Sequence, residues 1–110
     1  MVRPDPFKTD TKHQRLVNRW IVDIGIGTQL EYEVGKYSID IYVPDLLLGV
    51  EVDGPWHLHR RDKKRDAYIL ETHGIEVWRI PIKDINIPYK QEFVKRILAR
   101  VREMDIDATT

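Results

Sequence analysis

Asp40, Glu51 and Asp53 lie in two short apolar runs, Lys36–Val43 and Leu46–Asp53, separated by Pro44-Asp45. Runs rich in Val, Ile and Leu on either side of a Pro-Asp pair read as two antiparallel strands joined by a turn. If the turn is symmetric about those two residues, Ile39 faces Val50, Ile41 faces Leu48 and Val43 faces Leu46, so each apolar residue meets another. Strand alternation then gathers Ser38, Asp40 and Tyr42 with Leu47, Gly49, Glu51 and Asp53 on the opposite face. In this register Asp40 faces Gly49 and lies diagonally from Glu51, at a backbone separation of roughly 7–8 Å that two inward-leaning carboxylates can close around a cation. Hard oxygen ligands of this kind suit Mg²⁺, with Mn²⁺ as a substitute, because Mg²⁺ keeps several waters and takes one or two carboxylates together with a substrate phosphate. The alternative is a wet face, since half-exposed antiparallel strands ordinarily turn acids toward solvent. Against it, three acids on one small patch with Lys36 as the only expected neighbour of opposite sign repel one another unless a cation neutralises them.

A second chemical signal follows at once. His59, Arg60, Arg61, Lys63, Lys64 and Arg65 surround a single acid, Asp62. Basic residues at the start of a helix oppose its dipole, which favours a purpose such as contact with the phosphates of DNA over a merely solvated helix start. Net charge is zero, but its distribution is uneven: +3 over residues 1–20, −6 over 21–53 and +3 over 54–110. An acidic centre between basic margins is what metal-binding carboxylates flanked by phosphate-binding residues require. His57 and His59 form a His-x-His pair, yet with no cysteine in the chain they fall short of a four-ligand zinc site. Asp66 is expected to pair with Arg65 or Arg79, and Trp20, at helical spacing, to be core.

These residues need a scaffold, and the remaining pattern supplies one. Thr9 or Asp10 can cap a first helix in which Leu16, Val17, Trp20, Ile21 and Ile24 recur at helical spacing, with Gly25 or Gly27 as its stop. A strand over about 29–34 precedes the two already described. A second helix fits Arg60–His73 with Gly74 as its stop, a strand fits Ile75–Ile80, and a last helix fits about Tyr89–Met104. The order αβββαβα predicts an α/β fold: a small four-stranded mixed sheet flanked by helices, in one domain spanning 1–110 with frayed ends at about 1–6 and 105–110. The lack of cysteine, of any apolar run approaching about 20 residues and of a hydrophobic stretch after Met1–Asp5 predicts a cytoplasmic protein that meets no membrane.

Taken together, Tyr37–Pro44, Gly49-Val50-Glu51-Val52-Asp53-Gly54-Pro55-Trp56-His57, Lys64-Arg65-Asp66 and Gly74–Ile80 resemble very-short-patch-repair endonucleases and their homing-endonuclease relatives, a branch of the PD-(D/E)XK nucleases. The resemblance covers about residues 11–82. It implies a restriction-endonuclease-like core and a Mg²⁺-dependent DNA endonuclease active in repair or homing. It further implies that Asp40, Glu51, Asp53 and the Val52 carbonyl hold the metal, and that His57 is the acid–base group. Two positions depart from the family pattern. Asp53 stands where Lys is usual in the broad superfamily, although this branch replaces that Lys with His or Asp. Gln14 stands where relatives carry a Glu on the first helix, and Gln brings neither charge nor a proton-accepting group, only a carbonyl and an amide. A catalytically silent nuclease fold that binds DNA or a protein is therefore the alternative. Double-strand cleavage would call for a homodimer or successive attacks.

Overall fold

The computed structural model describes residues 11–55 and 59–109. The expected caps Thr9 and Asp10, together with Trp56 and His57, lie outside the described residues, as does the side chain of His59. Chain order is α1 (Thr11–Val22), β1 (Gln29–Val34), β2 (Tyr37–Val43), β3 (Leu48–Asp53), α2 (His59–His73), β4 (Glu76–Pro81) and α3 (Ile87–Thr109). The strands form one mixed sheet in the order β1-β2-β3-β4, with β1, β2 and β3 antiparallel in succession and β4 parallel to β3 across the α2 crossover. This is the expected α/β layout. The last helix runs past Met104, since no Gly or Pro follows to stop it.

Each face of the sheet has its own cover. On one, Val17, Trp20 and Ile21 of α1 and Phe93 and Ile97 of α3 pack against Ile41, Val43, Leu48, Val50, Val52 and Ile80. On the other, Ile69 of α2 packs against Val34, Ile39, Tyr42 and Ile75. Leu16, expected on the apolar stripe of the first helix, is exposed. Gly74 ends α2 in the left-handed region at φ +71°, where a Cβ would be strained, and its N–H donates to the Leu70 carbonyl at 3.0 Å.

The β2–β3 turn is wider than a symmetric reading of Pro44-Asp45 allows. Pro44–Leu46 form a single 3₁₀ turn and Leu47 closes it at φ +48°, so β3 begins at Leu48 and not at Leu46. Arg100 on α3 pins this turn, donating to the Leu46 carbonyl at 3.1 and 3.2 Å and to Glu76 at 2.8 Å. The register is consequently Ile41↔Val50, Tyr42↔Gly49 and Val43↔Leu48, two residues from the symmetric one. A shift of two keeps Gly49 and Glu51 on the face opposite Val50. Leu47, expected on that face, lies in the turn and is exposed.

The alternation of β2 also breaks. Ile41 belongs to the α1/α3 cluster but Ile39 to the α2 cluster, although they are two residues apart. The break falls at Asp40, and on the neighbouring strand Glu31 has φ +51° between the pairs Leu30↔Ile41 and Tyr32↔Ile39. Ile39 then leans over Gly49, where an added Cβ would lie 3.0 Å from its Cγ2. A side chain at Gly49 would require Ile39 to give way by a few tenths of an ångström.

Candidate active site

The β2–β3 ladder stops at Ile41↔Val50, and beyond it the strands are joined through carboxylates. One step past the ladder, Asp40 comes opposite Glu51 rather than diagonal to it. The backbone N–H of Val52 donates to Asp40 Oδ2 at 3.0 Å, and the backbone N–H of Asp40 donates to Glu51 Oε2 at 3.3 Å. Both acids are buried, with Asp40 7% and Glu51 4% exposed. Side-chain oxygens thus satisfy both of these main-chain donors.

From α1, Gln14 approaches the same point. Its Nε2 donates to the Asp40 carbonyl at 3.3 Å, the residue is 4% exposed, and its Oε1 is buried with no hydrogen-bond partner among the described residues. A buried amide oxygen left without a donor is costly and calls for a cation, a donor or a water.

Positive charge reaches the pair from α2. Arg65 contacts Glu51 Oε1 and donates to the Ser38 carbonyl at 2.6 Å. The expected counter-charge, Lys36, sits instead over the Tyr37 ring at 5.4 Å. Burial, reinforced by the charge of Asp40 and a hydrogen bond with it, raises the Glu51 carboxyl well above its ordinary pKa, while Arg65 and Arg79 pull the other way.

Asp53 does not join the pair. It is held by Arg79, whose Nη1 donates to its Oδ1 at 3.0 Å. Arg79 also grips Asp66 with two bonds of 2.7 Å and stands 3.5 Å from buried Asp62. The parallel register sets Arg79 beside Glu51, and the four-residue spacing of Asp62 and Asp66 puts both on the helix face above it. Burial works against the charged guanidinium of Arg79, but the Asp66 bond and the charges of Asp53, Asp66 and Asp62 prevail and raise its pKa. The expected structural pairing of Asp66 with Arg79 is present. The sequence pattern does not foreshadow Asp62 in this cluster, or Arg65 as partner to Glu51. The one signal for them is the i, i+4 pair of acids on α2 opposite a basic strand residue.

Of the residues assigned to phosphate contact, Arg60, Arg61, Lys63 and Lys64 are exposed on α2, whereas Arg65 turns inward. Asp40, Glu51 and Gln14 are therefore brought together, Val52 meets them through its backbone N–H, and Asp53 is drawn aside. Among the described residues no three His, Asp or Glu side chains gather closely enough to enclose a metal. Two carboxylates and an unpartnered amide oxygen do fit Mg²⁺, which retains waters and needs only one or two carboxylates from the protein. No model of a known protein family matches the sequence, and no curated protein matches it. Among the described residues no helix is long and apolar enough to cross a membrane.

Proposed function

We propose that this chain is a metal-dependent DNA endonuclease with a restriction-endonuclease-like core, hydrolysing phosphodiester bonds at the point where β2 and β3 part. The observation that carries the reading is the meeting of Asp40 and Glu51 across that gap, beside the unpartnered Oε1 of buried Gln14. Mg²⁺ would be held by the two carboxylates, with Gln14 Oε1 accepting from one of its waters or serving as a further oxygen ligand. When bound, such an ion polarises a phosphate oxygen and lowers the pKa of water.

The chain's own groups have definable parts in the reaction. The Val52 N–H fixes one oxygen of Asp40 and the Asp40 N–H fixes Glu51 Oε2, while Arg65 stands on Glu51 Oε1 as the cation already present. Exposed Arg60, Lys63 and Lys64 offer α2 as a surface for the DNA backbone. His57 is the proposed acid–base group, since an ordinary imidazole pKa of about 6.5 lets it take a proton from water or give one to the departing oxygen. One such site cuts one strand, so the product is a nick unless two copies act together.

Supercoiled plasmid incubated with Mg²⁺, with Mn²⁺ and with EDTA tests the proposal: nicking is expected with either metal and not with EDTA, and Asp40→Asn should abolish it. Nicking by Asp40→Asn at the parental rate would sink the reading. Gln14 in place of an acid favours a second reading, a nuclease fold that binds DNA without cutting it. That reading predicts retention of DNA by the chain with no nick under any metal.

A further inference from the structure

We propose that Arg65 is a built-in counter-ion of the Asp40–Glu51 pair that a divalent cation must displace, and that the displaced guanidinium joins the exposed basic face of α2. The inference rests on the metal-site reading above and specifies what regulates that site.

The two largely buried arginines that face these acids are held in contrasting ways. Arg79 engages Asp66 through Nε and Nη2, the bidentate fork that gives a guanidinium its geometric specificity. Arg65 reaches Glu51 and the Ser38 carbonyl through Nη2 alone, and its Nε is buried with no hydrogen-bond partner among the described residues. A guanidinium placed for a permanent structural bond would not leave a buried donor unmet. Arg65 supplies charge without a matching fork, which makes its contact the exchangeable one.

The contact also falls on the atom a metal needs. Glu51 Oε2 is occupied by the Asp40 N–H, and Arg65 takes Oε1. In the state that binds metal, with both carboxylates ionised, Arg65 leaves the pair one negative charge in excess. A divalent ion added with Arg65 in place would reverse that sign, whereas exchange of one for the other brings the pair to neutrality. The released side chain has somewhere to go, because Arg60, Lys63 and Lys64 on the same helix are already exposed. Loading of the metal would thereby add a cation to the surface that meets phosphate.

Mn²⁺ binding to the full chain, followed by electron paramagnetic resonance, tests the competition. Arg65→Ala should bind Mn²⁺ at least about fivefold more tightly than wild type, the lower end of ordinary coupling between sites. Arg65→Lys should lie between them. Affinity in Arg65→Ala that is equal to or weaker than that of a wild type that does bind Mn²⁺ overturns the competition and leaves the nuclease proposal standing. Binding by Arg65→Ala alone supports the competition in its strongest form. Absence of binding in both overturns the competition and the metal-site reading together. Should Arg65→Ala fail to fold, the wild-type protein decides: on titration with Mg²⁺ the Arg65 Nε–Hε NMR signal should shift and exchange faster with water. A signal that stays fixed while the Asp40 and Val52 amides move overturns the displacement, and amides that also stay fixed overturn the metal site as well.

Discussion

Replacing Arg79 with Met removes the charge at the centre of three carboxylates while keeping most of the side chain's length. Arg79 makes three hydrogen bonds, at 2.7, 2.7 and 3.0 Å, to Asp66 and Asp53, and lies 3.5 Å from Asp62. Adding a full charged hydrogen bond for each would overstate the loss, because the Asp66 side chain is 24% exposed and can turn to water. The Asp62 side chain is 7% exposed and has little such recourse. The cost therefore belongs at the lower end of the range for breaking a buried pair, about 3 kcal/mol. For a domain of this size each kcal/mol lowers Tm by roughly 4–8 °C, which places the fall at roughly 12–24 °C. Thermal unfolding followed by circular dichroism measures it, and a double-mutant cycle with Asp66→Asn should show coupling of about 1 kcal/mol or more. A loss under about 1 kcal/mol for Arg79→Met, or strict additivity with Asp66→Asn, would refute the view that this arginine clamps α2 to the sheet.

Three further outcomes follow from the site. Because burial and Asp40 raise the Glu51 pKa above its ordinary 4.5, the folded state holds that proton more tightly than the unfolded chain does. The stability this contributes is complete below the unfolded pKa and is lost as pH rises toward the folded one, so Glu51→Gln should raise the metal-free stability at neutral pH by about 1 kcal/mol, within the usual range for a stabilising substitution. Melting curves between pH 4 and 8 that show Glu51→Gln less stable than wild type at pH 7 would contradict this. Gln14→Glu sets a third acid beside the pair and should cost about 1–3 kcal/mol without metal. Mn²⁺ should then raise its Tm more than it raises that of wild type, and an equal rise in calorimetry would count against the position of Gln14 as metal-facing. Finally, a triple Arg60, Lys63, Lys64→Ala variant should flatten the salt dependence of duplex DNA binding, measured by fluorescence anisotropy, by about 0.9 in the log–log slope for each phosphate that is no longer neutralised. An unchanged slope would overturn the proposed role of α2 in DNA binding.

The parts of the molecule legible in the sequence are those governed by local rules. Gly74 marked the end of α2, the helical spacing of Val17, Trp20 and Ile21 marked the buried side of α1, and the element order followed from both. What escaped was set by contacts distant in sequence. Pro44-Asp45 looks like a tight two-residue turn, but Arg100, more than fifty residues away, binds the Leu46 carbonyl and holds a wider one. Strict alternation put Ile39 beside Ile41, but the irregularity at Asp40 and Glu31 sends them to opposite layers. The carboxylates were brought together for a reason different from the one the symmetric hairpin offered. A continuous ladder would have left the Asp40 and Glu51 side chains projecting from the sheet, with main-chain donors paired to carbonyls. The ladder ends at Ile41↔Val50, and beyond it the Val52 N–H donates to Asp40 and the Asp40 N–H to Glu51, with Arg65 on the second Glu51 oxygen. Local rules fail where contacts distant in sequence override them. Here the failure falls on two buried acids, one held by the Val52 N–H and the other shared between the Asp40 N–H and Arg65.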